Sequence, residues 1–290
     1  MSEFLEHARR GRNDWWRYLL TPAAALVLWI LGIAVVYLPA YLAHLIPADF
    51  TQRATDPAYP AYFYGFTGII FGALVLTFAL AVRAIQGKRF GDIVGDWRWR
   101  QMGAGAGLWL VVCVASALID YLVRPSGFRL TLGPATLTLA LFAIPSLAIQ
   151  TFCEEFLFRG YATQGLLLAV KRPLIAAAAS GVIFGLFHAP NGGPQMVNAV
   201  VFGIVTALIV MRTGNLAFTW GLHLANNLFG AVVVVSAGDV LHGSPGVFTQ
   251  ATPDLMWLDV VASLAAFAAV WWLIARRLPT AAAGGPEEVF

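Results

Sequence analysis

Long uncharged stretches, separated by short clusters of charged and turn-forming residues, run the length of the chain. A hydrocarbon core about 30 Å thick is crossed by about 20 apolar residues in helix, so each stretch reads as a membrane span. Eight are predicted. The first three cover Leu19 to Ala48, Ala58 to Val82 and Gln101 to Ile119, the last ending at Asp120. The fourth begins near Leu130, stays uncharged to Cys153 and then runs into Glu154, Glu155 and Arg159 with no loop between. From Pro173 to Met211 there is no charge, and the turn-forming Ala189-Pro190-Asn191-Gly192-Gly193-Pro194 divides that stretch into a fifth and a sixth span. The seventh covers Thr213 to Gly238. The eighth covers Leu255 to Ala275, tolerates Asp259, and ends on Trp271 and Trp272, which suit a membrane interface.

Composition agrees with lipid as the solvent: 59% of the 290 residues are hydrophobic and 11% charged, against about a quarter charged in a soluble domain. The net charge of +3 is spread too thinly to track a nucleic acid backbone. The 20 Phe, 10 Trp and 8 Tyr exclude a disordered chain. Cys113 and Cys153, the two cysteines, both lie in apolar stretches, so no disulfide framework is expected. With the N-terminus inside, alternate loops place 15 of the 18 Lys and Arg on the cytoplasmic side, leaving Arg53, Arg124 and Arg129 outside. The expected architecture is therefore an all-α polytopic bundle of about eight spans with both termini cytoplasmic. It divides into a basic N-terminal segment 1–18, one transmembrane domain 19–278 and a tail 279–290. The first span follows an Arg-rich leader but is too long for a signal peptide and reads as a permanent anchor.

Charge in mid-span costs about 2.5 to 3.5 kcal/mol per residue, so Glu154, Glu155 and Arg159 demand a reason. Glu155 and Arg159 stand at i and i+4 in the favourable order for an ion pair. Glu154 lies about 100° around the helix, faces Phe158 at i+4, and must look to another helix. A hairpin turning at Lys171 and Arg172 brings His188 level with it. Phe184 shares a face with His188, and Gly181 with Gly185 permits close helix approach. In the seventh span His223, Asn226 and Asn227 share a face. Buried structural hydrogen bonding explains each group alone as well as function does. Depth raises one conflict. Straight helices put Glu154 and His188 about 25 Å from the Lys171 turn and His223 about 16 Å from Arg212, so 160–170 is expected to bend or run along the interface.

Three of these patterns together resemble the CPBP group of intramembrane proteases, which includes the type II CAAX prenyl endopeptidases and bacteriocin-processing or immunity proteins. They are Glu154-Glu155-Phe156-Leu157-Phe158-Arg159 for EExxxR, Phe184 to His188 for FxxxH, and His223 to Asn227 for HxxxN. The resemblance covers 140–238. It implies an eight-span helical bundle, a cavity open to the cytoplasm, and hydrolysis of a peptide bond by water that Glu154 and His188 activate. His223 and Asn227 would stabilise the tetrahedral oxygen, with Glu155, Arg159, Phe184 and Asn226 in support.

Such a protein would act on a membrane-associated or lipidated peptide substrate, in a bacterial inner membrane. Glu154, His188 and His223 also make a legitimate zinc set. They come from three helices without HExxH spacing, so a glutamate mechanism without metal or other cofactor is preferred over a metalloendopeptidase. Cys153 reads as a small buried apolar residue, not a nucleophile. Two other classes fit the same charges: a proton-coupled transporter, against which the lack of an internal repeat counts, and a non-proteolytic scaffold or self-immunity protein.

Overall fold

A computed structural model describes residues 2–251 and 256–277; the predicted tail 279–290 lies outside them. Each predicted span carries a helix: α2 (Trp15–Leu42), α4 (Pro60–Gln86), α6 (Trp99–Val123), α7 (Pro134–Glu154), α9 (Pro173–Phe187), α10 (Gly193–Thr213), α11 (Ala217–Leu228) and α12 (Met256–Arg277). Short helices α1 (Ser2–Arg9), α3 (Phe50–Ala54), α5 (Phe90–Val94) and α8 (Thr163–Val170) lie between or before them. Among the described residues five rods are long and apolar enough to cross a membrane, while Pro173–Phe187 and Val260–Ile274 are shorter apolar helices. Lipid-facing side chains are bare, as with Val35 and Val36, both more than 70% exposed. The chain is an all-α polytopic integral membrane protein.

One end of the bundle is basic. There Arg10 pairs with Asp92 and Arg98 with Glu3, while Lys88 donates to the Ala8 carbonyl and to Gln164. The opposite end carries a small sheet of β1 (Phe128–Leu130), β2 (Val234–Ser236) and β3 (Phe248–Gln250), with β3 central, antiparallel to β1 and parallel to β2. No periodicity announced it, because three-residue strands are too short to show alternation.

α7 continues without a break through a π-helical stretch, Glu155–Ala162, into α8. π turns widen the helix and free carbonyls; that of Phe158 is taken by the hydroxyls of Thr163 and Ser180. This rod settles the conflict of depth. Gly160 already lies against Ile93 and Leu216 at the basic end, and Gly165 lies against Tyr18. The last ten residues therefore overrun the membrane level beside α1 and α5, where a bend was expected. Glu154 is thereby lowered to the depth of His223.

Close helix contacts hold this arrangement. A Cβ on Gly181 would come within 2.8 Å of the Val200 carbonyl, and one on Gly185 within 3.0 Å of that of Met196, so the small pair seats α9 on α10. Gly105 and Gly221 do the same for α6 and α11: added Cβ atoms would meet the carbonyls of Phe218 and Met102 at 2.0 and 2.1 Å.

Candidate active site

Glu154 closes α7 and Glu155 opens the π stretch, so the two carboxylates leave the rod in different directions. Glu155 is fully buried and accepts from His223 Nδ1 at 2.9 Å, with Arg159 Nε 3.5 Å away. A carboxylate without its proton only accepts, so Nδ1 of His223 carries a proton and Nε2 is turned outward. That Nε2 stands 3.6 Å from Glu154 Oε2, beyond direct hydrogen-bond reach. Arg159 is buried as well. Its Nε donates to Thr206 at 2.8 Å, and its guanidinium lies 3.8 Å from the ring centroid of Phe184 and 4.9 Å from that of Phe202. Cation–π contact thus replaces much of the solvation it lost.

Phe184 connects the group, with ring centroids 4.4 Å from His188 and 6.2 Å from His223. His188 caps α9 and its Nδ1 lies 2.9 Å from the Phe184 carbonyl, which leaves Nε2 free. Both imidazoles and Glu154 line one cavity of about 580 Å³. The expected partnership of Glu154 with His188 is not made. Glu154 faces His223 instead, and on its own helix it is met by Gln150, four residues back. Packing accounts for this: α7 lies against α11, whereas α9 packs on α10 and α8.

Gln150 is the residue sequence reasoning missed, although an amide one turn before Glu154 in an uncharged span was a visible cue. It ends a directed chain: Trp109 Nε1 donates to Asn226, Asn226 to Asn227, Asn227 to Gln150 and Gln150 to Glu154. Thr206 and Phe202 were missed too, with no local cue, since both come from α10. Asn198 of α10 lines the cavity as well. Cys153 is buried and outside the lining, as predicted.

As placed, Glu154, His188 and His223 do not bring three ligand atoms together: among the described residues, the group of three His, Cys, Asp or Glu donors within 4.8 Å of one another is Glu3, His7 and Asp96, at the basic end. The bond from His223 Nδ1 to Glu155 leaves Nε2 as the atom turned to the cavity, the orientation that a metal-ligating imidazole also takes.

Comparison with known proteins points the same way as these motifs. The chain is 28% identical over 269 residues to "Uncharacterized protein YyaK" of Bacillus subtilis (strain 168), covering 85% of this chain and 87% of that one. No solved structure matches it. Residues 136–229, which hold Glu154, His188, His223 and Asn227, match the family described as type II CAAX prenyl endopeptidase Rce1-like, and this third of the chain is similar to that family.

Proposed function

We propose that the chain is an intramembrane endopeptidase in which Glu154 is the general base. What carries this reading is the Glu154 side chain in the wall of a 580 Å³ cavity that His188 and His223 also line, its Oε2 buried without a hydrogen bond among the described residues and 3.6 Å from His223 Nε2. Its other oxygen is held by Gln150, and behind it Glu155, Arg159 and Thr206 form a buried brace. A carboxylate held at one oxygen and left without a donor at the other keeps a lone pair for a water proton.

In this reaction Glu154 takes a proton from water, and the water oxygen adds to the carbonyl carbon of the scissile amide. His188 Nε2 holds the water from the opposite wall. The oxygen that becomes negative is met by the unused N–H of Asn227 and by Nε2–H of His223 in its imidazolium form. The carbon–nitrogen bond then breaks, and Glu154 returns its proton to the leaving amine. The scheme uses no metal; in a metalloendopeptidase the same Glu154, His188 and His223 would be the ligands, and the chelator arm of the test decides between the two. The substrate is a membrane-associated or lipidated peptide, and the host membrane a bacterial inner membrane.

The test is cleavage of a peptide library by the purified protein in detergent, with and without chelator. Loss of a positioned base costs about 10²- to 10⁴-fold. Glu154→Ala and His188→Ala should fall by that much while inserting and folding normally, and chelator should change nothing. Undiminished cleavage by Glu154→Ala overturns the assignment of the base. Normal partner binding with no cleavage by any form favours a scaffold instead.

A further inference from the structure

The residues that line the cavity run from the level of Glu154 and Phe158 to the end of the bundle that is poor in positive charge. The rim of the cavity is made by Phe63 near the start of α4, by Asn191 in the turn between α9 and α10, and by Asp239, Val240 and Leu241 in the connection from β2 to β3. These belong to the end that carries the sheet, where Tyr64 bonds Ser244 and Thr131 bonds the Gly246 carbonyl.

Toward the basic end the floor is closed. Glu155, Phe156 and Arg159 have no exposure at all. Arg159 packs there between Thr206, Phe184 and Phe202, and Glu155 against His223, so no passage is left beneath Glu154. On the opposite face of the rod Phe152 and Phe156 stack with Phe90 of α5, Trp97 ahead of α6 and Trp220 of α11, away from the cavity.

Lys and Arg within a few residues of span ends are retained on the cytoplasmic side. The sealed end holds Arg9, Arg10, Arg12, Lys88, Arg89, Arg98, Arg100, Lys171, Arg172 and Arg212, whereas the loops at the open end contain Arg53, Arg124 and Arg129. Resting on the peptidase reading above, we infer that this site takes its substrate from the extracytoplasmic side: a peptide segment exposed outside the membrane or in its outer leaflet, not a cytosolic chain terminus. The expectation of a cytoplasmic cavity, drawn from resemblance, is thereby reversed.

The walls suit such a segment. On one side stand Phe71 and Leu74 of α4, on the other Phe187 of α9. α4 packs on α2 and α7, and α9 on α10 and α8, so the two walls approach the cavity from different sides. Phe187 is 71% exposed, which gives the cavity an apolar margin that continues into lipid. A substrate with a lipid-embedded part beside its scissile bond can lie along that margin while its polar part rests against Asn191, Gln195 and Asp239.

Sidedness can be measured without any cleavage. In a chain carrying C113A and C153A, single cysteines at Asn191, Val240, Thr67, Lys171 and Arg89 are treated with a charged, membrane-impermeant thiol reagent, in intact cells and in inverted membrane vesicles. N191C, V240C and the cavity-wall T67C should be modified in intact cells. K171C and R89C should be protected there and modified only in inverted vesicles. Modification of N191C and V240C only in inverted vesicles overturns the inference, as does T67C labelled from the Lys171 side or from neither. A peptide library presented to each vesicle orientation separates the two readings: cleavage confined to inverted vesicles defeats the sidedness and leaves the peptidase standing. Outside labelling with no cleavage in either orientation defeats the peptidase.

Discussion

An indole N–H can only donate, and this single constraint at Trp109 sets the sense of four hydrogen bonds. Asn226 must present its carbonyl oxygen to Trp109 at 2.9 Å, so its amino group faces Asn227 at 3.1 Å; Asn227 then donates to Gln150 at 3.1 Å, and Gln150 donates to Glu154. The amide orientations follow from donor chemistry, not from choosing between O and N. Gln150 is thus a positioning residue that holds one oxygen of the proposed base and leaves the other 3.6 Å from His223 Nε2. Gln150→Leu should lower kcat about ten- to a hundredfold with little change in KM, the usual scale for a supporting partner. Trp109→Phe keeps the ring but frees Asn226 to flip, and should show a smaller fall of the same kind; steady-state kinetics on a cleaved library peptide measures both. A rise in KM alone would mean that Gln150 contacts substrate instead. The members of the site were legible in the sequence because Glu, His and Asn in an apolar span are conspicuous. Their pairing was not, since whether Glu154 meets His188 or His223 depends on which helix packs against α7, which residue spacing in an ideal helix cannot supply.

The helices themselves were read well from apolar run length, whereas their irregularities were hidden. The first π stretch, Glu155–Ala162, takes in Glu155 and Arg159 of the EExxxR pattern, the second, Phe229–Val233, begins two residues after Asn227, and neither has a composition that marks it. The overrun of α8 was hidden too, because it depends on α1 and α5 building a layer for it to lie against. Close helix approach was half legible: Gly181 with Gly185 stood out by spacing, while Gly105 and Gly221 face each other's helices from spans far apart in sequence. The latter pair holds more of the site, for α11 carries His223, Asn226 and Asn227, and α6 carries Trp109. Gly221→Val should therefore push α11 off α6 and stretch the Trp109 to Asn226 bond. Overpacking of this kind costs about 1 to 3 kcal/mol. Thermal unfolding in detergent should record the loss of stability, with activity reduced beyond what the loss of folded protein explains. Gly32, which an added Cβ would leave with no neighbour within 4 Å, is the control: Gly32→Ala should change neither.

The molecule as a whole is closed at its basic end by parts that do not cross the membrane. α1 buries Phe4 and Ala8 against it. Lys88 ties the layer together, donating to the Ala8 carbonyl at 2.7 Å, to Gln164 at 3.0 Å and to the Tyr18 hydroxyl at 3.2 Å, while Gln164 donates to the Asp92 carbonyl. Burial pushes the Lys88 ammonium down to about 8, with Asp92 opposing only in part. An unfolded lysine titrates near 10.4. Between these values the unfolded chain binds more protons than the folded one, so stability rises with pH across that window. Below about pH 8 the cost of the buried charge is present in full, on the order of 3 kcal/mol. The unfolding temperature in detergent should accordingly climb from about pH 7.5 to about pH 9.5. Lys88→Met leaves the Ala8 carbonyl without its donor and should be less stable than the wild type at pH 9.5, where the lysine is neutral, and it should lack the climb. The slope, not the level, is what separates a titrating buried lysine from a merely packed one. If the variant keeps the wild-type slope, the pH response has another source. If it loses the slope and also admits thiol reagent to T67C from the basic end, then the layer around Lys88 is part of what seals the catalytic cavity from that side.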